Sequence, residues 1–137
     1  MKIIRNSRDN QKGQAVVEFA LVSLLFFFLL FAIIDFGRIV SSYNVLAAAT
    51  REASRYAMVH GAQSGSRATS ADLQTQARNW SIGLDPSAVT VTSTWTPAGA
   101  PPGGVVLVQA QYPITPLVGL FGGTITLRSS SQIVISR

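Results

Sequence analysis

Apolar and polar positions change their rhythm several times along this chain. From Ala15 to Ile34 there is no rhythm: of these twenty residues only Glu18 and Ser23 are polar. A helix of that length rises about 1.5 Å per residue and covers the roughly 30 Å hydrocarbon core of a bilayer. A segment apolar on every face suits lipid on all sides, whereas a core helix of a soluble domain keeps one polar stripe. A secretory signal peptide has an apolar stretch of about 7–15 residues ended by a small-residue cleavage site, and no such site follows Ile34. The pattern therefore predicts one transmembrane helix over 14–34.

Beyond Ile34 the chain stays helix-favouring and free of proline up to His60. Here a stripe emerges, with Phe36, Ile39 and Val40, Tyr43, Leu46 and Ala47, Ala53, and Tyr56 or Ala57 recurring at three- and four-residue steps. That spacing predicts a continuation of the same helix over 35–60, one face buried on a soluble domain and the rest in water. Gly61 supplies a stop. The element from Gln14 to His60 is then on the order of 70 Å long.

The remaining residues, 61–137, read as a small α+β domain. Thr69-Ser-Ala-Asp72 has the form of a capping box, and Leu73, Ala77, Trp80 and Leu84 follow at helical steps, so a short amphipathic helix is expected over about 70–82. Val89, Val91 and Trp95 alternate with threonines, which predicts a half-buried strand over about 88–95. Pro97–Gly104 holds three prolines and three glycines and reads as a long turn. A more apolar and so more central strand is expected over about 105–112, ended by Pro113, and a third over about 124–135 with Ile125, Leu127, Ile133 and Ile135 on one face. The apolar Leu117–Phe121 loop is expected to tuck under the sheet. The fold class is α+β: a long N-terminal transmembrane and stalk helix, a short second helix, and a three-stranded antiparallel β-meander packed on the long helix.

Charge sets the orientation. Lys2, Arg5, Arg8 and Lys12 precede the span and only Arg38 follows it closely, so residues 1–13 are a basic leader on the cytoplasmic side and the domain is extracytoplasmic. This places the protein as a single-pass component of a cytoplasmic membrane. The domain has no cysteine, and with roughly 75 residues it needs the helix stripe to complete its core. The net charge of +5 does not imply nucleic acid as a partner, because the basic residues outside the leader are scattered, not gathered in a patch.

Candidate chemistry is sparse. With no cysteine and one histidine, His60, a Cys/His zinc site or a Cys-His nucleophile pair is out of reach, and a serine triad has no elbow motif to serve. The six carboxylates are far apart in sequence and suggest no catalytic pair. No enzyme activity, cofactor or small-molecule substrate is expected. Glu18 stands apart, since a carboxylate in a bilayer costs about 2.5–3.5 kcal/mol at the centre, less near an interface, and commonly marks a partner. It lies one helical turn into the span, so it either reaches the headgroups or Lys12, or meets a positive group of another chain.

Gly13 followed by four residues and then Glu18-Phe19 resembles the type IV prepilin processing site of the Flp/Tad subgroup. Phe36-Gly37-Arg38 and Ala49-Thr50-Arg51-Glu52-Ala53-Ser54-Arg55-Tyr56-Ala57 resemble the TadE-like family of pseudopilins. The resemblance covers residues 13–57 closely and the strands only in general pattern. It implies that a prepilin peptidase cuts after Gly13, that Gln14 becomes the N-terminus, and that the helix serves a subunit assisting assembly of tight-adherence pili. Glu18, then the fifth residue, would neutralise the N-terminal ammonium of a neighbour. The implied partners are the lipid bilayer, the peptidase, sister pilin subunits and the assembly platform. Phe19 stands where the major Flp pilins favour tyrosine, and the chain is longer than those pilins. Both departures point to a minor or assembly subunit.

Asp35 and Arg38, three apart, are placed to form an intrahelical ion pair, and Arg51 and Arg55, four apart, share one face. All four are candidate interface positions. The alternative to a processed pseudopilin is an uncleaved single-pass anchor presenting a small extracytoplasmic binding domain.

Overall fold

The computed structural model describes residues 7–118 and 122–136, with side chains from Gly13 onward. Residues 1–6 of the leader and residues 119–121 of the apolar loop lie outside the described residues. The elements follow in the order α1 (Ser7–Val59), α2 (Ser70–Trp80), β1 (Thr90–Thr96), β2 (Val105–Ile114) and β3 (Ile125–Val134). The three strands form one antiparallel sheet in the order β1-β2-β3. This is the α+β arrangement of a long helix, a short helix and a meander.

α1 runs unbroken from the leader through the apolar span into the domain. It is long and apolar enough to cross a membrane, and none of its apolar window is buried against the rest of the chain. Its second half carries the domain, and the buried face follows the expected stripe only in part. Leu46, Ala53 and Ala57 are buried as expected, but Phe36, Val40 and Tyr43 are 67 %, 41 % and 47 % exposed. Ala49, Thr50 and Ser54 are buried beside them.

Small side chains win this face because a sheet can approach them closely. Thr50 and Ser54 are buried without loss because their hydroxyls donate to the carbonyls of Leu46 (2.7 Å) and Thr50 (3.0 Å), one turn back. The sheet answers in kind. The inner row of β1, β2 and β3 includes Ser93 opposite Val108 opposite Ser131, and Val91 opposite Ala110 opposite Ser129. Val89, Val106, Val108, Leu127 and Ile135 complete the core with Leu73 and Ala77 of α2. The outer row of β1 is threonine, at Thr90, Thr92, Thr94 and Thr96, all exposed.

α2 starts as its sequence dictates. Thr69 accepts from the Asp72 backbone N–H, and the Asp72 carboxylate accepts from the Thr69 N–H (2.8 Å) and hydroxyl (2.7 Å). The helix ends at Trp80, earlier than expected, because the Ser81 hydroxyl folds back onto the Ala77 carbonyl (2.6 Å). Trp80 is consequently 51 % exposed and not part of the core stripe. Gln74 holds α2 to the free edge of β1: its amide N–H donates to the Val89 carbonyl (2.5 Å) and its amide oxygen accepts from the Val91 N–H (2.7 Å). Two edge groups that could recruit another strand are thereby occupied.

Pro113 does not end β2, which continues to Ile114 and pairs Pro113 with Thr126 of β3. β1 has already finished at that level, its last pair being Thr90 with Gln111, so no ladder runs on that side to miss an N–H. The turn between β1 and β2 closes tightly at Gly104, where a Cβ would meet the carbonyl oxygens of Pro101 at 2.9 Å and Thr96 at 3.2 Å. The chain end is tied back to the helix, with the Ser136 N–H and hydroxyl both donating to the Met58 carbonyl (3.0 and 3.1 Å).

Candidate functional site

Two regions of α1 carry the polar groups that a helix bordering lipid has to account for. The first is Gly13–Phe19. Gly13, Gln14, Glu18 and Phe19 are all exposed, Phe19 at 73 %. α1 passes through Gly13 without a break, and glycine inside a helix costs about 1 kcal/mol relative to alanine. Gly13 therefore weakens the helix locally. Among the described residues the ion pairs are Arg38–Asp35 and Arg55–Glu52. Glu18 is in neither, and the Lys12 side chain lies outside the described set.

The second region lies about 33 Å along the axis, where the apolar run stops. Asp35 is 4 % exposed and accepts from the Arg38 guanidinium at 3.1 Å, the ion pair expected from the spacing. Two further partners have no counterpart in the local sequence pattern. The backbone N–H of Leu117 donates to Asp35 Oδ1 at 2.9 Å and that of Val118 to Oδ2 at 2.7 Å. These donors hold the Asp35 carboxyl below the usual carboxylate range, Leu117 first and then Val118, against an opposing effect of burial that is larger than either contribution of Arg38. Leu117 itself is 65 % exposed and does not tuck under the sheet. The reason is local: the N–H groups of Leu117 and Val118 are turned to Asp35, which holds these two residues against the helix.

Arg51 and Arg55 sit on a flank of α1 that borders β3. Both are exposed, and Arg55 reaches Glu52 only loosely at 3.9 Å. With Ala48 and Glu52 they form a shallow open surface flanked by Trp80, Ser131 and Ile133. His60 closes the helix end, its ring stacked on Tyr56 at 4.0 Å and its Nδ1 donating to the Tyr56 carbonyl at 2.9 Å. The structure thus separates the sequence-derived candidates into a membrane segment (Gly13, Gln14, Glu18, Phe19), a node at the end of the span (Asp35, Arg38) and a distal patch (Arg51, Arg55). Leu117 and Val118 are the participants that the sequence pattern missed.

Asp72 and Asp85 are held low in the same way as Asp35, Asp72 chiefly by the Thr69 backbone N–H and hydroxyl and Asp85 chiefly by the Ser87 hydroxyl and N–H. A carboxylate with a lowered folded-state value contributes stability above its unfolded value of about 3.8, and loses that contribution as pH falls through the folded value. The domain's thermal midpoint should be level above about pH 5 and fall as the pH drops below that. Circular dichroism melts in mild detergent from neutral pH downward test this. A midpoint that holds constant into strong acid would contradict the carboxylate contacts.

An apolar helix long enough to cross a membrane thus projects from a small helix-on-sheet head, with Glu18 the single acid of its apolar run. Residues 13–55 match the family of TadE-like proteins. The match lies wholly within α1, from Gly13 to Arg55, and does not reach the head. The family is a structural component of the pilus system and is not known for catalysis. No curated protein and no solved structure matches the chain.

Proposed function

We propose that this protein is a pseudopilin of the Tad/Flp system, processed by prepilin peptidase after Gly13 and acting as a minor or assembly subunit in the biogenesis of adhesive pili. The observation that carries the reading is the combination along one exposed helix of a helix-weakening glycine, a span apolar on all sides, and one acid five residues after the glycine. A peptidase must open the backbone it cuts, and Gly13 makes that opening easier at the proposed bond. Gln14 then becomes the N-terminus, and its ammonium is the cation that a neighbour's Glu18 requires. The basic leader keeps that end in the cytoplasm, with the head on the far side of the inner membrane. The head, which the family match does not reach, distinguishes this subunit from its sister pilins and is displayed to them and to the assembly platform.

Intact mass and N-terminal sequencing of protein extracted from its native membrane test the processing step. The expected product begins at Gln14 and lacks the first thirteen residues. A full-length product from cells with an active prepilin peptidase would overturn the proposal in favour of an uncleaved anchor.

A further inference from the structure

Asp35 joins two distant parts of the chain at one height, and that height is the end of the apolar span. We infer that the Thr115–Val118 corner is a second membrane contact, placing Leu117 in the headgroup–acyl boundary of the bilayer that α1 crosses. The inference rests on the membrane-anchor reading of α1 and not on cleavage after Gly13.

The position comes from covalent and hydrogen-bonded geometry. Asp35 directly follows Ile34, the last residue of the apolar run. Its two carboxylate oxygens hold the backbone N–H groups of Leu117 and Val118 at 2.9 and 2.7 Å. The corner therefore cannot lie more than about one helical turn from the level at which the helix leaves the hydrocarbon.

The chemistry agrees with the position. Leu117 is 65 % exposed although it follows Pro116 and precedes Val118 in an apolar stretch. At the same level α1 presents Ile33 (64 % exposed), Ile34 (43 %) and Phe36 (67 %), so the corner extends an apolar rim that the span itself begins. Arg38 commits one guanidinium nitrogen to Asp35 while its side chain stays 44 % exposed, and a long basic side chain at this level can reach lipid phosphates. The obstacle to lowering a loop toward lipid is its unsatisfied backbone, each free polar group costing several kcal/mol. Here the Leu117 and Val118 N–H groups already have a charged acceptor, so these two residues can approach the acyl region with their donors paired.

The chain has no cysteine, which makes a single-site probe clean. Full-length Leu117→Cys, labelled with an environment-sensitive NBD fluorophore, is reconstituted into vesicles of phosphatidylethanolamine and phosphatidylglycerol. Quenching by aqueous iodide is compared with quenching by lipids carrying a nitroxide at a shallow acyl position. The expected result is a blue-shifted emission, loss of most iodide quenching, and strong quenching by the shallow nitroxide. Thr92→Cys, on the outer sheet face, serves as the water-exposed reference. Iodide quenching at position 117 equal to that reference overturns the inference. So does shielding from iodide without nitroxide quenching, which would mean that protein, such as a second copy, covers the corner. Adding Asp35→Asn to Leu117→Cys should lose much of the nitroxide quenching, and an unchanged signal would remove Asp35 as the pin. A label at Leu25→Cys, in mid-span, separates the two levels of reading. If it too escapes lipid nitroxides the membrane anchor fails, whereas failure at position 117 alone defeats only the second contact.

Discussion

Glu18→Gln is expected to insert and be processed like the parent chain, yet to be lost from the subunit assembly. The substitution keeps shape and helix propensity and removes one negative charge, so entry into the bilayer becomes no harder; the penalty for a charge at this shallow depth is below the about 2.5–3.5 kcal/mol of the bilayer centre. On the proposed function, what disappears is the partner of a neighbour's N-terminal ammonium. Breaking one side of a desolvated ion pair leaves the other charge uncompensated and costs about 3–5 kcal/mol, enough to reduce incorporation by about a hundredfold or more. Quantitative crosslinking or co-purification from native membranes, normalised to the amount of processed subunit, reads this directly. Normal incorporation by the glutamine variant would show that the carboxylate merely reaches the headgroups.

Leu46→Ala should destabilise the head by about 2–5 kcal/mol, the range for truncating a fully buried leucine. Leu46 is 0 % exposed and is among the largest side chains sealed between α1 and the sheet. A domain of this size has a total stability on the order of 4–12 kcal/mol, so the loss is a large share of it. Phe36→Ala and Tyr43→Ala, only a few residues away on the same helix, should each change stability by no more than about 0.5 kcal/mol because their side chains are largely in the open. Denaturant unfolding in mild detergent, followed through Trp80 and Trp95, separates these outcomes. Equal losses at positions 36, 43 and 46 would restore the bulky stripe as the buried one.

That contrast shows where the sequence was readable and where it was not. The apolar span, the capping box at Thr69 and Asp72, the threonine face of β1 and the central place of β2 were all legible, because each is a local pattern with a local cause. The buried face of α1 was legible only in part: Leu46, Ala53 and Ala57 lay on the expected stripe and are buried. Hydropathy also favours Phe36, Val40 and Tyr43, but the face is completed by Ala49, Thr50 and Ser54, whose short side chains permit close approach and whose hydroxyls are satisfied within the helix. Pro113 misled for a related reason: its cost depends on whether a neighbouring strand still runs beside it, which the sequence does not say.

The candidate site divides along the same line. Gly13 and Glu18 stand out as anomalies against their own neighbours, and the Asp35–Arg38 pair follows from helical spacing. The contacts of Asp35 with Leu117 and Val118 join residues 82 and 83 positions apart, and no periodicity within either segment encodes them.

The head is fastened to α1 at two heights, by Asp35 at the base and by Met58, which receives Ser136, near the top. About 35 Å of helix lies between these attachments. These two attachments oppose a swivel between stalk and head. A helix advances about 100° per residue, so shifting its packing register by one position against a neighbouring helix would rotate the threonine face of β1 more than a quarter turn around the axis. Longitudinal stagger and angular phase are coupled in this molecule, and whatever sets one at the tip of the stalk sets which side of the head points outward.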